Sequence, residues 1–309
     1  MSLENKRLGI LEKNYFLRCK MSFLKIKNCI FKIIIELFVF NKTKRANLKA
    51  RFAKYHLKKY VDFAVSNLAE VENKGENPNI IWQYWQRGIN NAPKLIQKCI
   101  ESTKKYHPEN KIVLLDLDSI KDYVEIPSRY YDLLNKGKMG PAHFSDVLRT
   151  YLLAQFGGIW VDATIYFTGK IPNDIMQSDL FFFSKDPKID RAENKISNFF
   201  IRSKANNKTI LAIKSVLDKY WLDYDFAFNY FMYEHIATML SDYDTLKPDW
   251  DKMPYYSALD TGILQKIMYD DFDSKNLEEL KAKTNIHKLS YKILKDSSSG
   301  KSYYDRIIG

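Results

Sequence analysis

The stretch Pro141-Ala-His-Phe-Ser-Asp-Val-Leu-Arg-Thr-Tyr-Leu-Leu-Ala-Gln-Phe-Gly-Gly-Ile-Trp-Val-Asp-Ala-Thr-Ile-Tyr166 decides how the chain is read. Residues 142–155 predict a helix, stopped at its C-terminal end by Gly157 and Gly158. Ile159-Trp-Val161 follows as a strand, with Asp162 at its end. Asp146 and Arg149 are three residues apart and share one helix face. The apolar neighbours Val147, Leu148, Tyr151 and Leu152 predict that this face is buried. In an α/β sheet, an acid at a strand end faces the crevice where ligands bind.

Upstream, Asn79-Ile-Ile-Trp-Gln-Tyr-Trp85 reads as a short buried strand, followed by a loop over Arg87–Pro93. Residues 94–106 predict a helix, His107-Pro-Glu-Asn110 a turn, and Lys111-Ile-Val-Leu-Leu-Asp116 a second strand. That order and spacing is a parallel crossover unit. A helix around Pro127–Leu134 and a loop over Asn135–Gly140 lead into the central stretch. Downstream come a strand (Leu180–Phe183), a polar loop (Asp186–Lys195) and a strand (Phe199–Arg202). Helices follow around Lys208–Tyr220 and Phe226–Leu240, and then a loop-rich tail (Ser257–Gly262, Ile286–Tyr291, Ser297–Tyr304). The fold class is α/β. The turn-rich break Asn73-Lys-Gly-Glu-Asn-Pro78 divides a helical extension, residues 1–75, from a main domain, residues 76–309.

The composition narrows the function classes. The 309 residues are 46% hydrophobic and 28% charged, which excludes a disordered chain. Cys19, Cys29 and Cys99 have no metal-type spacing, so a zinc ribbon or disulfide scaffold is not expected, and reduced thiols in a cytosolic protein are. The net charge of +12 is concentrated. Residues 1–60 hold sixteen Lys and Arg against three acids, and the rest hold 33 against 34. A neutral body gives no basic groove for nucleic acid, and no nucleic-acid partner is expected. A basic arm implies contact with something anionic.

Within that arm, Phe23–Phe40 is strongly apolar but interrupted by Lys25, Lys27, Lys32 and Glu36. It is too short and too charged to span a bilayer comfortably. It fits a helix lying in the interface of an anionic membrane, ringed by Arg18, Lys20, Lys42, Lys44, Arg45, Lys49 and Arg51. The alternative is a helix packed on the main domain with a solvated basic face. Residues 46–72 continue as helix.

The central stretch resembles the capsular polysaccharide synthesis proteins, relatives of the DXD-type mannosyltransferases and large-toxin glucosyltransferases. Their pattern is an opening strand "IPKIIHxxW", then "(S/A)DxxRYxxLxxxGGxYxDxD". The counterparts are Ile80-Ile-Trp-Gln-Tyr-Trp85 and Ser145 through Thr164. The resemblance covers Ile80 to about Tyr166 well and the remainder loosely. It implies a GT-A-like, Rossmann-like nucleotide-sugar-binding domain, a nucleotide-sugar donor that is UDP-linked, retention of anomeric configuration, and a divalent metal, Mn2+ (or Mg2+).

Carried over residue by residue, the resemblance makes Asp162 the first metal and donor contact. Asp146 and Arg149 then face the donor sugar, with Asp146, Arg149 and Asp162 as the catalytic set. Gly158 joins the donor contacts, and Trp85 stacks on the base. Each has a blander alternative: a turn cap for Asp162, a surface ion pair for Asp146 and Arg149, a C-cap for the glycines, and a core aromatic for Trp85. Trp82 stands where the family has a histidine, so no role carries over. The second acid of the DXD is Thr164 here, a neutral and weaker ligand for a hard cation. His287 in Ile286–Lys292 resembles a segment that closes over the diphosphate. It is expected to complete a metal site of Asp162, Thr164 and His287, while Lys288 or Lys292 offsets phosphate charge. The alternative there is a solvated basic loop. His235 reads as a core or acceptor-side histidine. The Ser297-Ser-Ser-Gly-Lys301 run lacks the first glycine and context of a phosphate loop and reads as a lid.

The expected function is glycosyl transfer from a nucleotide sugar to a lipid-linked capsular or surface polysaccharide. The expected setting is the cytoplasm, at the inner face of the cell membrane, through residues 1–60. The rivals are a toxin-like protein glycosyltransferase and an inactive, membrane-associated member that binds sugar nucleotide or glycan in a synthesis complex.

Overall fold

The computed structural model describes residues 23–68, 78–190, 192–292 and 301–309. Helix α1, residues 23–38, leads into α2 (Lys42–Ser66), whose first turn is capped by the Asn41 side chain. Strand β1 (Ile80–Tyr84) is buried at all five positions, as befits a central strand flanked by parallel neighbours. Helix α3 (Lys94–Tyr106) buries Leu95, Ile96, Cys99, Ile100 and Thr103, a one-sided stripe at three- and four-residue steps. It returns the chain to β2 (Lys111–Leu115), parallel to β1. After α4 (Ser128–Asn135), α5 (Pro141–Phe156) begins with proline in its first turn, where the missing N–H costs nothing. From Val147 to Ala154 every residue of α5 is buried, so this helix is core on all sides.

Strands β3 (Gly158–Val161) and β4 (Ile165–Phe167) follow. Then come the short α6 (Asn173–Gln177), β5 (Leu180–Ser184) and β6 (Ile196–Ser203). Helices α7 (Lys208–Asp223) and α8 (Met232–Leu240) complete the main layer. The tail holds short α9 (Lys247–Asp251), α10 (Ala258–Thr261) and α11 (Ile263–Lys266), then α12 (Ser274–Lys283), β7 (Ile286–Lys288) and α13 (Tyr303–Ile308).

The five-stranded sheet has the order β2-β1-β3-β6-β5. β1 is parallel to both β2 and β3, while β6 is antiparallel to β3 and β5. Alternation divides the side chains between two cores. Trp82, Tyr84, Trp160, Phe182 and Ile201 join the helical core of α2, α5, α7 and α8. Ile81, Ile159, Val161, Phe181, Phe183 and Phe200 face the other way, onto Ile165, Phe167, Ile175 and Ile286. The α/β class and the parallel crossover are as the sequence predicts.

The turn from α5 into β3 requires its glycines. Gly157 and Gly158 have φ of 66° and 96°. A Cβ on Gly157 would lie 2.5 Å from the Ala205 amide nitrogen, and one on Gly158 would lie 2.7 Å from the Ile80 carbonyl oxygen. The Trp82 indole closes the turn by donating to the Gly157 carbonyl at 2.9 Å.

Three expectations change. The basic extension is not wholly separate from the main domain: α2 buries Ala53, Leu57, Tyr60, Val61 and Ala64 in the same core as α7 and α8, and the Tyr60 hydroxyl donates to Asp223 at 2.7 Å. Its apolar stripe is wide enough to be a core face, with Lys42, Lys44, Lys58 and Lys59 outward and Lys54 half-buried against the Glu193 carbonyl at 2.8 Å. The helix expected over Phe226–Leu240 starts only at Met232, because Phe226 and Phe228 turn inward and the Phe226 carbonyl accepts the Tyr220 hydroxyl. The tail segment Ile286–Tyr291 is not all loop, since β7 pairs antiparallel with β4. Cys19, Arg18, Lys20, residues 73–77 of the expected domain break and residues 297–300 of the expected lid fall outside the described residues.

Candidate functional site

Asp162 follows β3 directly and opens a turn. Its amide donates to the Phe199 carbonyl at 2.8 Å, and its carbonyl accepts from the Ile165 amide at 2.9 Å. The carboxylate is thereby fixed at the strand end with 23% of its side chain exposed. Oδ1 accepts from the Trp160 indole at 2.9 Å and from Arg149 Nη2 at 3.2 Å. Oδ2 accepts from Lys288 Nζ at 2.7 Å. Burial alone would push this carboxyl up, but Lys288 and Arg149 outweigh it and hold it below the ordinary range.

Arg149 projects from α5 into the same cluster, with 5% of its side chain exposed. Its guanidinium donates to the Ser145 carbonyl at 3.2 Å, to Ser145 Oγ at 3.1 Å and to the Asn198 carbonyl. It lies 3.4 Å from Asp146 Oδ1 and over the Trp160 ring, 5.0 Å from the centroid. Desolvation works against its charge, and Asp162 and Asp146 more than restore it. Asp146 is held from the other side by Asn198, whose Nδ2 donates to Oδ1 at 2.8 Å. His143 Nδ1 stands 3.5 Å from Asp146 Oδ2. Asp146 and Arg149 are buried and meet the partly exposed Asp162 in one cluster, so the helix pair is not a surface ion pair.

Lys288 arrives from β7, where it pairs with Ile165 of β4. The neighbouring Leu289 amide donates to the Thr164 carbonyl at 2.9 Å. This ribbon brings Nζ to 2.6 Å from Thr164 Oγ1 as well as onto Asp162. Lys288 was expected to offset phosphate charge; its ion pair with the strand-end acid was not anticipated.

Trp85 lies one residue past β1, its amide bonded to the Leu115 carbonyl at 2.9 Å. With Gln83, Gly88, Ile89, Leu115 and Asp116 it lines a cavity of about 80 Å³ at the carboxyl ends of β1 and β2. Tyr291 meets the Trp85 ring edge-on at 5.3 Å. Ala163, between Asp162 and Thr164, packs in the same small cluster as Trp85 and Tyr291, so the cavity and the charged cluster adjoin. Trp85 is half-buried at this mouth, whereas Trp82 is a core side chain.

Two expected members are not gathered here. His287 is buried, and its Nε2 lies 2.9 Å from Thr168 Oγ1. It pairs with Tyr166 and points to the opposite face of β7 from Lys288, because successive strand residues alternate. Burial pushes its imidazole down to about 4. Gly158 sits at the opposite end of β3 from Asp162, pressed against Ile80, and serves the backbone turn. His235 is the core histidine of the two alternatives: it is bonded to Asn194 Oδ1 at 2.7 Å, and burial pushes it down to about 3.

Sequence reasoning missed Gln83, Asn198 and the Trp160 indole. Gln83 is fully buried in β1 with neither carboxamide atom partnered, and it borders the cavity. A glutamine inside the apolar run Ile80-Ile-Trp-Gln-Tyr84 was the available signal. Asn198 had none.

The expected Mn2+ or Mg2+ can be tested against these donors. A hard divalent cation takes six or more oxygens, carboxylates among them. Asp162 offers one carboxylate and Thr164 a neutral hydroxyl, and the Lys288 ammonium engages both. Among the described residues no three His, Cys, Asp or Glu side chains gather as a metal group. This donor set does not fit a divalent ion.

The fold and site define an α/β protein with a small cavity at the carboxyl ends of parallel strands, near a cluster of two acids and two cations. Its family is specific: residues 34–307 match the model described as capsular polysaccharide synthesis protein, and the chain belongs to that family. The O-glycosyltransferase braB of Annulohypoxylon truncatum is 31% identical over 93 residues, 27% of this chain. That match spans 22% of the relative's length. The solved PaToxG glycosyltransferase aligns over 85% of this chain and 96% of its own, at 15% identity and a TM-score of 0.39.

Proposed function

We propose that this chain is a glycosyltransferase of GT-A-like design. It moves a sugar from a nucleoside diphosphate, UDP-linked, to a lipid-linked capsular or surface polysaccharide, with retention of anomeric configuration as the family resemblance implies. The observation that carries the reading is the strand-end Asp162, held ionised by Arg149 and Lys288 beside the cavity of Trp85 and Gln83. In this reading Trp85 offers its ring to the base, and the unpartnered Gln83 carboxamide offers a donor and an acceptor. Asp146, positioned by Asn198, accepts sugar hydroxyl protons, and Arg149 donates to hydroxyl or phosphate oxygens. The leaving nucleoside diphosphate gains negative charge as the bond breaks, and the cations beside Asp162 stabilise it.

The membrane setting is part of the same proposal. Ile26, Ile30, Ile33, Ile34, Leu37 and Phe38 of α1 are each about half exposed or more, an outward apolar stripe on a helix whose inner face is Leu24, Asn28 and Ile35. Lys27, Lys42 and Lys44 are exposed on and beside this helix. No helix among the described residues is long and apolar enough to cross a membrane. The combination suits adsorption to an anionic lipid surface, which raises the enzyme's effective concentration near a membrane-held acceptor.

The test follows nucleoside diphosphate release from a panel of UDP- and GDP-sugars, with lipid-linked acceptor supplied in vesicles. Release and glycan extension from one donor support the reading. No release and no binding of any donor by calorimetry sinks it. In the same vesicles, co-flotation that needs anionic lipid and is lost in Ile33→Glu supports the membrane element. Flotation of that variant like the parent refutes it.

A further inference from the structure

We propose that the Lys288 ammonium is itself the cation of this site, standing where a divalent metal would stand, so that sugar transfer by this chain needs no metal. The inference rests on the transferase reading above and specifies how its leaving group is stabilised.

The atoms are explicit. Lys288 Nζ contacts Asp162 Oδ2 at 2.7 Å and Thr164 Oγ1 at 2.6 Å, the two side-chain oxygens that a metal bound at the Asp162-Ala-Thr164 turn would take. The other carboxylate oxygen, Oδ1, is engaged by the Trp160 indole and Arg149. A metal would therefore have to displace protein donors at every one of these oxygens and sit against a second cation. Lys288 is also not a wandering surface lysine. It belongs to β7, in register with Ile165, and the next amide is pinned to the Thr164 carbonyl.

Charge balance accounts for Thr164. A monocation is balanced by one carboxylate, and its second partner need only accept a hydrogen bond, which the Thr164 hydroxyl does. Asp146 and Asp162 balance Arg149 and Lys288 with nothing added. An ammonium has three N–H donors. Two are engaged, and the third is available to a diphosphate oxygen. In the transfer, the bond from the anomeric carbon to the β-phosphate oxygen breaks and its electron pair stays on that oxygen. The acceptor hydroxyl oxygen forms the new bond to the anomeric carbon, and its proton ends on the departing diphosphate. Lys288 keeps its protons throughout and contributes charge in a fixed position.

The test uses the full chain, freed of metal with EDTA. Mn2+ titration read by electron paramagnetic resonance is expected to show no saturable micromolar site, with or without UDP. UDP or GDP binding by calorimetry is expected to persist in EDTA and to weaken at least about tenfold in Lys288→Met. Turnover on the accepted donor is expected to be equal in EDTA and Mn2+, to fall about 100-fold in Lys288→Met, and to recover in part in Lys288→Arg. A micromolar Mn2+ site that Asp162→Asn removes, or turnover abolished by EDTA and restored by Mn2+, overturns the inference and leaves the transferase standing. Failure of UDP and GDP to bind under both conditions overturns the transferase reading as well. The wild-type Mn2+ titration decides the point even if the Lys288 variants fail to fold.

Discussion

Two clusters of buried charge differ in how each settles its carboxylate. Around β3, Asp162 is held down because Lys288 and Arg149 together overcome burial. Beside α8, Glu234 has one cation, Lys185 Nζ at 2.8 Å, and burial wins: its carboxyl is pushed up. The second cluster is closed on itself. Asp190 shares Lys185 at 3.2 Å, Asn194 Nδ2 donates to Glu234 at 3.1 Å, and the His235 ring lies between Asn194 and Asn229. It ties the loop before β6 to α8. The first cluster adjoins a cavity and sets two cations, Arg149 and Lys288, against the Asp162 carboxylate at a cost in desolvation. The lesson is that burial and ion pairing by themselves do not mark a site. An excess of cations on one partly exposed acid, next to an opening, does.

The comparison can be broken most forcefully at Asp162. Asp162→Asn should lower turnover about 1000-fold in a protein whose circular dichroism is unchanged. Retained turnover would make the β3 cluster as structural as its counterpart. Next in size, Lys185→Met strands Glu234 and Asp190 and should cost about 3 kcal/mol in urea denaturation, leaving turnover per folded molecule unchanged. A catalytic defect without a stability defect would reverse the assignment.

The smallest effect is a pH signature of opposite sign in the two clusters. Asp162 lies below its ordinary 3.8, so its stabilisation is complete above that pH and is lost as pH falls through the lowered value. Glu234 lies above its ordinary 4.5, so its stabilisation is greatest below that pH and declines as pH rises through the raised value. The stability gap between wild type and Asp162→Asn should therefore narrow in acid. The gap to Glu234→Gln should narrow as pH climbs above 4.5. Denaturation curves across this range would show it, and parallel trends would contradict it.

The sequence made part of this comparison visible and hid the rest for physical reasons. Asp146, Arg149 and Asp162 were legible because one helix, one glycine turn and one short strand carry all three within seventeen residues. The parallel unit β1-α3-β2 was legible from periodicity and turn residues. Lys288 was expected near phosphate, but its partners were not, because they depend on a three-residue strand too short to show a period. The same register that delivers Lys288 turns His287 away, and sequence cannot fix that parity. Asn198 lies 52 residues from Asp146 on an antiparallel strand, with no local signal. Glu234 and Lys185 are joined only through tertiary packing across 49 residues. Helix α2 was taken with the basic arm because composition registers lysines more readily than the core face they frame.

The central claim, that a nucleotide sugar sits between the Trp85 cavity and Asp162, is most directly tested by the indole N–H resonances of the five tryptophans during titration with UDP or GDP. Trp85 borders the cavity and the Trp160 indole donates to Asp162, so these two signals should shift and saturate together. Trp82, bonded to the Gly157 carbonyl behind the sheet turn, and Trp250, stacked on Phe182, should stay in place. Saturable shifts confined to Trp85 and Trp160 would establish the site. Binding that moves Trp250 or Trp221 and leaves Trp85 and Trp160 fixed would contradict it.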